Sequence, residues 1–234
     1  MTDATDRPAE SGWRYALAAL IVFTLLGMDV LSLFVGRLLD GPTSQHFGVW
    51  PAHWYATAGQ FVFSIALWTA SAPLVVRWAR RRGVLGVLFS GRWDGRVVAV
   101  VCLGVLVVAA IQLIETAGVP SLSLLREYRG FERRYPGHGA IVTAFQYVYY
   151  LLESVMVVLM LATWQRAGEL WTHRAQLPWG GLGLMLTWGL VHFLSHPAGA
   201  LTVVASALVF GGVFVGARKN AAATLAVVYL AFVL

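Results

Sequence analysis

Tyr147-Val148-Tyr149-Tyr150-Leu151-Leu152-Glu153 and Trp188-Gly189-Leu190-Val191-His192-Phe193-Leu194-Ser195-His196 are the stretches on which the fold turns. Each lies in an apolar run of helical character, and each carries an ionisable group where lipid tolerates few. An ionisable residue at mid-membrane costs about 2.5–3.5 kcal/mol on insertion scales and marks a functional site by default. The residues around these two stretches read as a membrane-spanning frame.

The frame follows from composition. Of 234 residues, 59% are apolar and 12% are charged, and the mean hydropathy is +0.71. Soluble domains carry about 25% charged residues. Several runs exceed the roughly 18 apolar residues that a spanning helix needs. The expected fold class is therefore all-α: a polytopic bundle with about seven spans, near 14–36, 54–76, 97–117, 141–163, 179–195, 199–217 and 220–234. The last three are short and rich in glycine and alanine. The organisation divides into a polar N-terminus over 1–13, N-terminal membrane helices over 14–140, and a helical core over 141–234.

The net charge of +6 does not point to nucleic acid, because the arginines lie between apolar runs and act as topology signals. Arg77, Arg80, Arg81, Arg82, Arg92 and Arg96 follow span two. Arg166 and Arg174 follow span four, and Arg218 and Lys219 follow span six. With alternating spans these loops share one side, which the positive-inside rule makes cytoplasmic. The protein is thus expected in the cytoplasmic (inner) membrane with its N-terminus inside. Met1 to Gly12 lacks a basic signal-peptide start, and the first apolar run reads as a retained helix. The single cysteine, Cys102, allows no intrachain disulfide.

On the opposite side, 121–135 breaks the charge rule with Arg126, Arg129, Arg133 and Arg134. Leu124, Tyr128, Phe131 and Tyr135 recur there at helical spacing, with Glu127 and Glu132 elsewhere around the wheel. That pattern predicts an amphipathic helix in the headgroup plane. Thr57, Gln60, Ser64 and Ser71 line one face of span two, a pattern of small polar residues that marks helix packing.

Four ionisable residues lie within spans: Asp29, Glu115, Glu153 and His192. Glu115 sits near a span end and can reach water. Asp29 lies deeper and reads as a polar packing contact. Glu153 and His192 are each about 12–13 residues from where their antiparallel spans enter the membrane. At about 1.5 Å per residue this puts both roughly 18–20 Å deep, at one level. Such a pair can activate water by general-base chemistry, or it can simply tie two helices together. His192 and His196, four residues apart, can face one metal ion. Two ligands are too few, so Glu153 would have to be the third, and no metal or other cofactor is expected. A lone intramembrane histidine such as His192 or His196 can also ligate a haem or chlorophyll-type tetrapyrrole.

Several of these residues also carry a family likeness. Trp188-Gly189-Leu190-Val191-His192 resembles the Phe-x-x-x-His motif of the CPBP family, the CAAX-protease and bacteriocin-processing membrane proteins. Phe210-Gly211-Gly212-Val213-Phe214-Val215-Gly216-Ala217-Arg218-Lys219-Asn220 resembles that family's Phe-Gly-rich helix and basic turn. Leu152-Glu153-Ser154 falls where the family has Glu-Glu-x-x-x-Arg, and the final helix where it has His-x-x-x-Asn. The likeness covers roughly 141–234 and implies a CPBP-like core and glutamic-type intramembrane endopeptidase chemistry. On that likeness the catalytic positions are Glu153 and His192, with Tyr229 in place of the second histidine.

The likeness is incomplete at the motifs. Leu152 or Ser154 replaces the partner glutamate, Val157 or Val158 the arginine, and Val233 the asparagine. Loss of one oxyanion donor typically lowers a rate about 10²–10³-fold. The favoured expectation is a catalytically degenerate membrane protein, a pseudoenzyme that acts as a binding or scaffold subunit with lipid and membrane-protein partners. The runner-up is an active peptidase cutting a membrane-embedded peptide, and the third reading is a tetrapyrrole-binding subunit.

Overall fold

The computed structural model describes residues 11–41, 50–82, 85–89, 91–116, 122–195 and 200–234. The sequence-level candidate His196 and the Glu115 side chain lie outside what is described, as does most of the polar N-terminus. In chain order the helices are α1 (Gly12–Gly27), α2 (Ser32–Asp40), α3 (Trp54–Arg81), α4 (Leu85–Leu88), α5 (Gly95–Glu115), α6 (Ser123–Arg134) and α7 (Gly139–Thr172). They continue with α8 (Trp179–Leu184), α9 (Leu190–Ser195), α10 (Ala200–Gly216) and α11 (Ala221–Val233). A 3₁₀ turn, Met28–Leu31, joins α1 to α2, and a π turn, Met185–Gly189, joins α8 to α9. The described residues form an all-α fold without a sheet.

Four stretches are long and apolar enough to cross a membrane: Gly12–Asp40, Trp54–Arg81, Gly95–Ile114 and Gly139–Thr172. The chain is therefore a multi-pass, largely helical membrane protein. The last three expected spans are shorter. At about 1.5 Å per residue, α10 reaches about 25 Å and α11 about 20 Å, against a hydrocarbon core of about 30 Å.

Helix α7 is the axis of the bundle. It touches α1, α3, α6, α8, α10 and α11, and half of its most apolar window is inside the protein, against 17% for α5. The run Met156-Val157-Val158-Leu159-Met160-Leu161-Ala162 is buried throughout. A helix that is apolar on every side belongs at the centre, where neighbours cover all of its faces. Helix α5 instead packs along α10 and α11 and leaves Val98, Leu103, Leu106 and Ile114 exposed, as a lipid-facing helix does.

The two ends of the bundle are chemically distinct. At one end Arg218 pairs with Asp94 at 2.8 Å and Lys219 with Glu169 at 2.8 Å, while Asn220 Nδ2 donates to the Arg92 carbonyl at 2.9 Å. The loops that follow spans two, four and six thus meet, as their shared arginine content implies. Asp94 also accepts the Val97 amide at 2.9 Å and caps α5. That backbone bond, with Arg218 and Arg96 nearby, holds its carboxyl below the usual range.

At the other end Asp40 accepts the amides of Ala52 and His53 at 2.7 and 2.9 Å, which fixes the start of α3. The Tyr135 hydroxyl, facing Thr57 at 2.7 Å, donates to the Pro51 carbonyl at 2.7 Å. Burial raises its pKa.

The amphipathic helix expected over 121–135 is α6. Phe131 and Tyr135 are buried against Trp50 and Phe61, while Leu124, Leu125 and Tyr128 remain exposed. Its acids differ from the expected solvated pattern. Glu132 turns back to accept the amides of Gly137 and Gly139, at 2.7 and 3.0 Å, and so caps α7. Glu127 turns inward.

The Gly-rich character of the last segments has a steric basis. A Cβ on Gly211 would sit 2.5 Å from both Cα and N of Gly181, so α8 and α10 cross backbone to backbone. Small residues permit this approach in membrane helices. Gly211→Ala is expected to destabilise the detergent-solubilised protein by about 1–3 kcal/mol. Gly212→Ala, which meets no atom within 4 Å, is expected to be neutral or stabilising by up to about 1 kcal/mol. Thermal unfolding of the two variants side by side checks this.

Candidate functional site

The interior site is built around α7. Tyr149, Tyr150 and Glu153 lie within about one turn of each other, so their side chains fan over neighbouring faces toward α1, α3, α6 and the α8–α9 segment. Glu153 is buried at 6% exposure. Its Oε1 accepts the indole N–H of Trp188 at 3.3 Å. Trp188 belongs to the π turn, and Asp29, which lies within electrostatic range of Glu153, belongs to the 3₁₀ turn. Both irregular turns of the described chain thus occur at residues that meet the buried carboxylates. Such local departures from α geometry recur at functional sites.

Asp29 makes polar packing contacts with two other helices. It accepts the Ser64 hydroxyl at Oδ1 and the Tyr149 hydroxyl at Oδ2, the latter at 3.1 Å. Ser64 is fully buried on α3 and belongs to the small polar face read from the sequence. Thr57, Gln60 and Ser71 on that face are buried too. Tyr149 stands between the two acids: it bonds Asp29 and lies within electrostatic range of Glu153. Its ring packs on Trp68 at 4.8 Å and Phe61 at 5.4 Å. The Trp68 indole in turn donates to the Leu25 carbonyl at 3.1 Å, just before the 3₁₀ turn.

Glu153 and His192 meet on Trp188. The His192 ring lies 4.6 Å from the Trp188 ring, and its Nδ1 donates to the Trp188 carbonyl at 2.9 Å, since a carbonyl oxygen can only accept. Depth matching along antiparallel spans brought the two residues to one region. An indole is the group that joins them there.

Tyr229 lies on α11, half-buried and within electrostatic range of Tyr147. The α11 side chain that reaches the Glu153 partner is Phe232, which stacks on Tyr150 at 4.8 Å and meets Trp188 edge-on at 6.4 Å. At the positions where the likeness calls for a second glutamate and an arginine, the residues are apolar or spoken for. Ser154 donates to the Tyr150 carbonyl at 2.7 Å, and Val157 and Val158 are buried in the core.

A second polar cluster lies toward the α6 end. Tyr150 donates to Glu127 Oε1 at 2.9 Å, and Gln146 Nε2 donates to Tyr150 Oη at 2.8 Å. Burial raises the Glu127 pKa, and the Tyr150 hydrogen bond and the nearby Tyr147 hydroxyl only partly offset it. The sequence flagged Gln146, Tyr149 and Tyr150 as a polar-aromatic stripe leading to Glu153. It did not indicate that Asp29, far away in the chain, and Glu127, on the preceding helix, converge on the two tyrosines. The visible signal for Asp29 was its depth in span one, level with Ser64 in span two.

Among the described residues no group of three or more His, Cys, Asp or Glu side chains could hold a metal ion. Compared with family models, curated proteins and solved structures, the chain matches none.

Chemically, the site offers two acids at mid-bundle, hydroxyl donors from Ser64 and Tyr149, one indole donor and one imidazole. A buried polar group left without its hydrogen-bond partner costs about 1–3 kcal/mol. Trp188→Phe keeps most of the ring volume and removes the N–H from Glu153. It is expected to lower stability by about 1–3 kcal/mol. In the Glu153→Leu background, where no carboxylate remains to be served, the same substitution is expected to have a smaller effect. Thermal unfolding of the four proteins as a double-mutant cycle measures the coupling.

Proposed function

We propose that this multi-pass membrane protein has a scaffold like that of the CPBP intramembrane peptidases and works as a catalytically degenerate binding or scaffold subunit of a membrane complex. The carrying observation is that Glu153 takes its hydrogen bond from the Trp188 indole. A carboxylate that activates water must be open to water and must be matched by a donor for the developing oxyanion. Here Glu153 is buried beneath a bulky aromatic, and α11 contributes Phe232 beside that aromatic. Tyr229 lies within electrostatic range of Tyr147.

The same contacts suit a structural role. Through Asp29, Ser64, Tyr149, Glu153 and Trp188, they link the α1–α2 turn, α3, α7 and the π turn. That leaves the outer faces of α1 and α5 for lipid and protein partners. The arginine-rich end, on the positive-inside rule, faces the cytoplasm, with α6 on the opposite side.

One observation favours the peptidase reading. Asp29 lies within electrostatic range of Glu153, so the 3₁₀ turn between α1 and α2 supplies the second carboxylate that the α7 motif lacks. In that reading the acid pair polarises a water, and His192 assists from the far side of Trp188.

Isolation in a mild detergent separates the two. The subunit reading expects copurification with a membrane partner at a fixed ratio, and Glu153→Gln leaves that ratio unchanged. Recovery of the chain alone, in a form that retains native thermal stability, contradicts it.

A further inference from the structure

The polar cluster under α6 has too few donors for its acceptors. Glu127 Oε2, Gln146 Oε1 and Tyr147 Oη are all buried and have no hydrogen-bond partner. Tyr150 already donates to Glu127 Oε1, and Gln146 Nε2 to Tyr150. With Glu127 ionised, two carbonyl-type oxygens remain unserved and only the Tyr147 hydroxyl is left to donate. A buried acceptor without a donor costs about 1–3 kcal/mol. A proton on Glu127 turns one of those acceptors into a donor.

The groups facing Glu127 favour that proton. From α7 they are Tyr147 and Tyr150, both neutral hydroxyls. From α6 itself there is Arg126, exposed and with Nη2 on Ser123 Oγ at 2.9 Å. From α11 there is Tyr229, within electrostatic range of Tyr147, while Leu234 accepts the Ser123 amide at 3.0 Å one turn away. Deeper on α7, Glu153 is within electrostatic range of Tyr150. Arg126 is the one cation in this set, and the exposed side of α6 leaves it in a high-dielectric setting where its pull is weak.

Helix α6 is held unevenly. Its second half is anchored by Phe131, and Tyr135 follows, both buried against Trp50 and Phe61. In the first half Leu124 and Leu125 are exposed, so Glu127 is the inward polar tie, with Ser123 at the helix start.

From this geometry we infer that Glu127 is a proton-binding site whose neutral form fastens the first two turns of α6 onto α7 and whose ionised form releases them. The sign follows from linkage. A carboxyl that holds its proton more tightly when folded contributes fully below the ordinary glutamate range of about 4.3, and the contribution is lost as pH rises through the folded-state value. Release would free Leu124, Leu125 and Arg126 toward the membrane surface.

Amide hydrogen exchange on the full chain in lipid nanodiscs, corrected for intrinsic rates, tests this at about pH 5 and about pH 8. Amides of residues 126–130 are expected to lose protection about tenfold or more at the higher pH, while 131–134 hold theirs and serve as internal reference. In Glu127→Gln, whose amide keeps an acceptor for Tyr150 and adds a donor, protection is expected to be the same at both. Protection of 126–130 that is unchanged with pH in the unmodified protein overturns the inference, and so does a pH response that persists in Glu127→Gln. The first comparison needs no variant, so misfolding of Glu127→Gln leaves the test intact.

Discussion

Burying Glu153 among the valines, leucines and methionines of α7 is the constraint to which the rest of the bundle responds. A carboxylate away from water must find donors or give up its charge. The donors come from other helices, because the backbone groups of α7 are used within the helix itself. The Trp188 indole reaches Glu153 from the α8–α9 segment, and that segment adopts a π turn at this position. Asp29 stands nearby on a 3₁₀ turn, served by Ser64 from α3 and Tyr149 from α7. One irregular turn carries the indole that reaches Glu153, and the other carries Asp29 itself.

This arrangement has a consequence for specificity of folding. Apolar helices in lipid gain little from hydrophobic association, so interhelical hydrogen bonds and close small-residue packing choose the partners. The acid–hydroxyl–indole network chooses α1, α3 and the π turn as neighbours of α7. The Gly181–Gly211 crossing chooses α8 against α10. Ion pairs and caps at the arginine-rich end then fix the register of α5, α7, α10 and α11 through Asp94, Glu169, Arg218, Lys219 and Asn220.

Much of this was legible in the residues. Apolar run lengths gave the helical membrane class and the first four long helices. The recurrence of Leu124, Tyr128, Phe131 and Tyr135 gave α6, and the matched depths of Glu153 and His192 put both against Trp188. Two features were not legible. Helical periodicity assigns Glu127 to a polar face, but it cannot show that Tyr150, about three turns into the next helix, draws that face inward. Depth alone put Asp29 in the membrane without saying which helix it meets, because that depends on the crossing of α1 and α7. The motif likeness around Glu153 and His192 rests on spacing. Spacing is silent on Trp188, whose position within its motif gives no hint that its indole serves the glutamate.

The central claim is that Glu153 ties helices together and does not activate water. Incubating the reconstituted protein with membrane-embedded peptides of varied sequence, beside Glu153→Gln and Asp29→Asn, measures this most directly. The account predicts no cleavage above background by any of the three. Cleavage by the unmodified protein that disappears in Glu153→Gln would contradict it, and its further loss in Asp29→Asn would identify the acid pair as the catalyst.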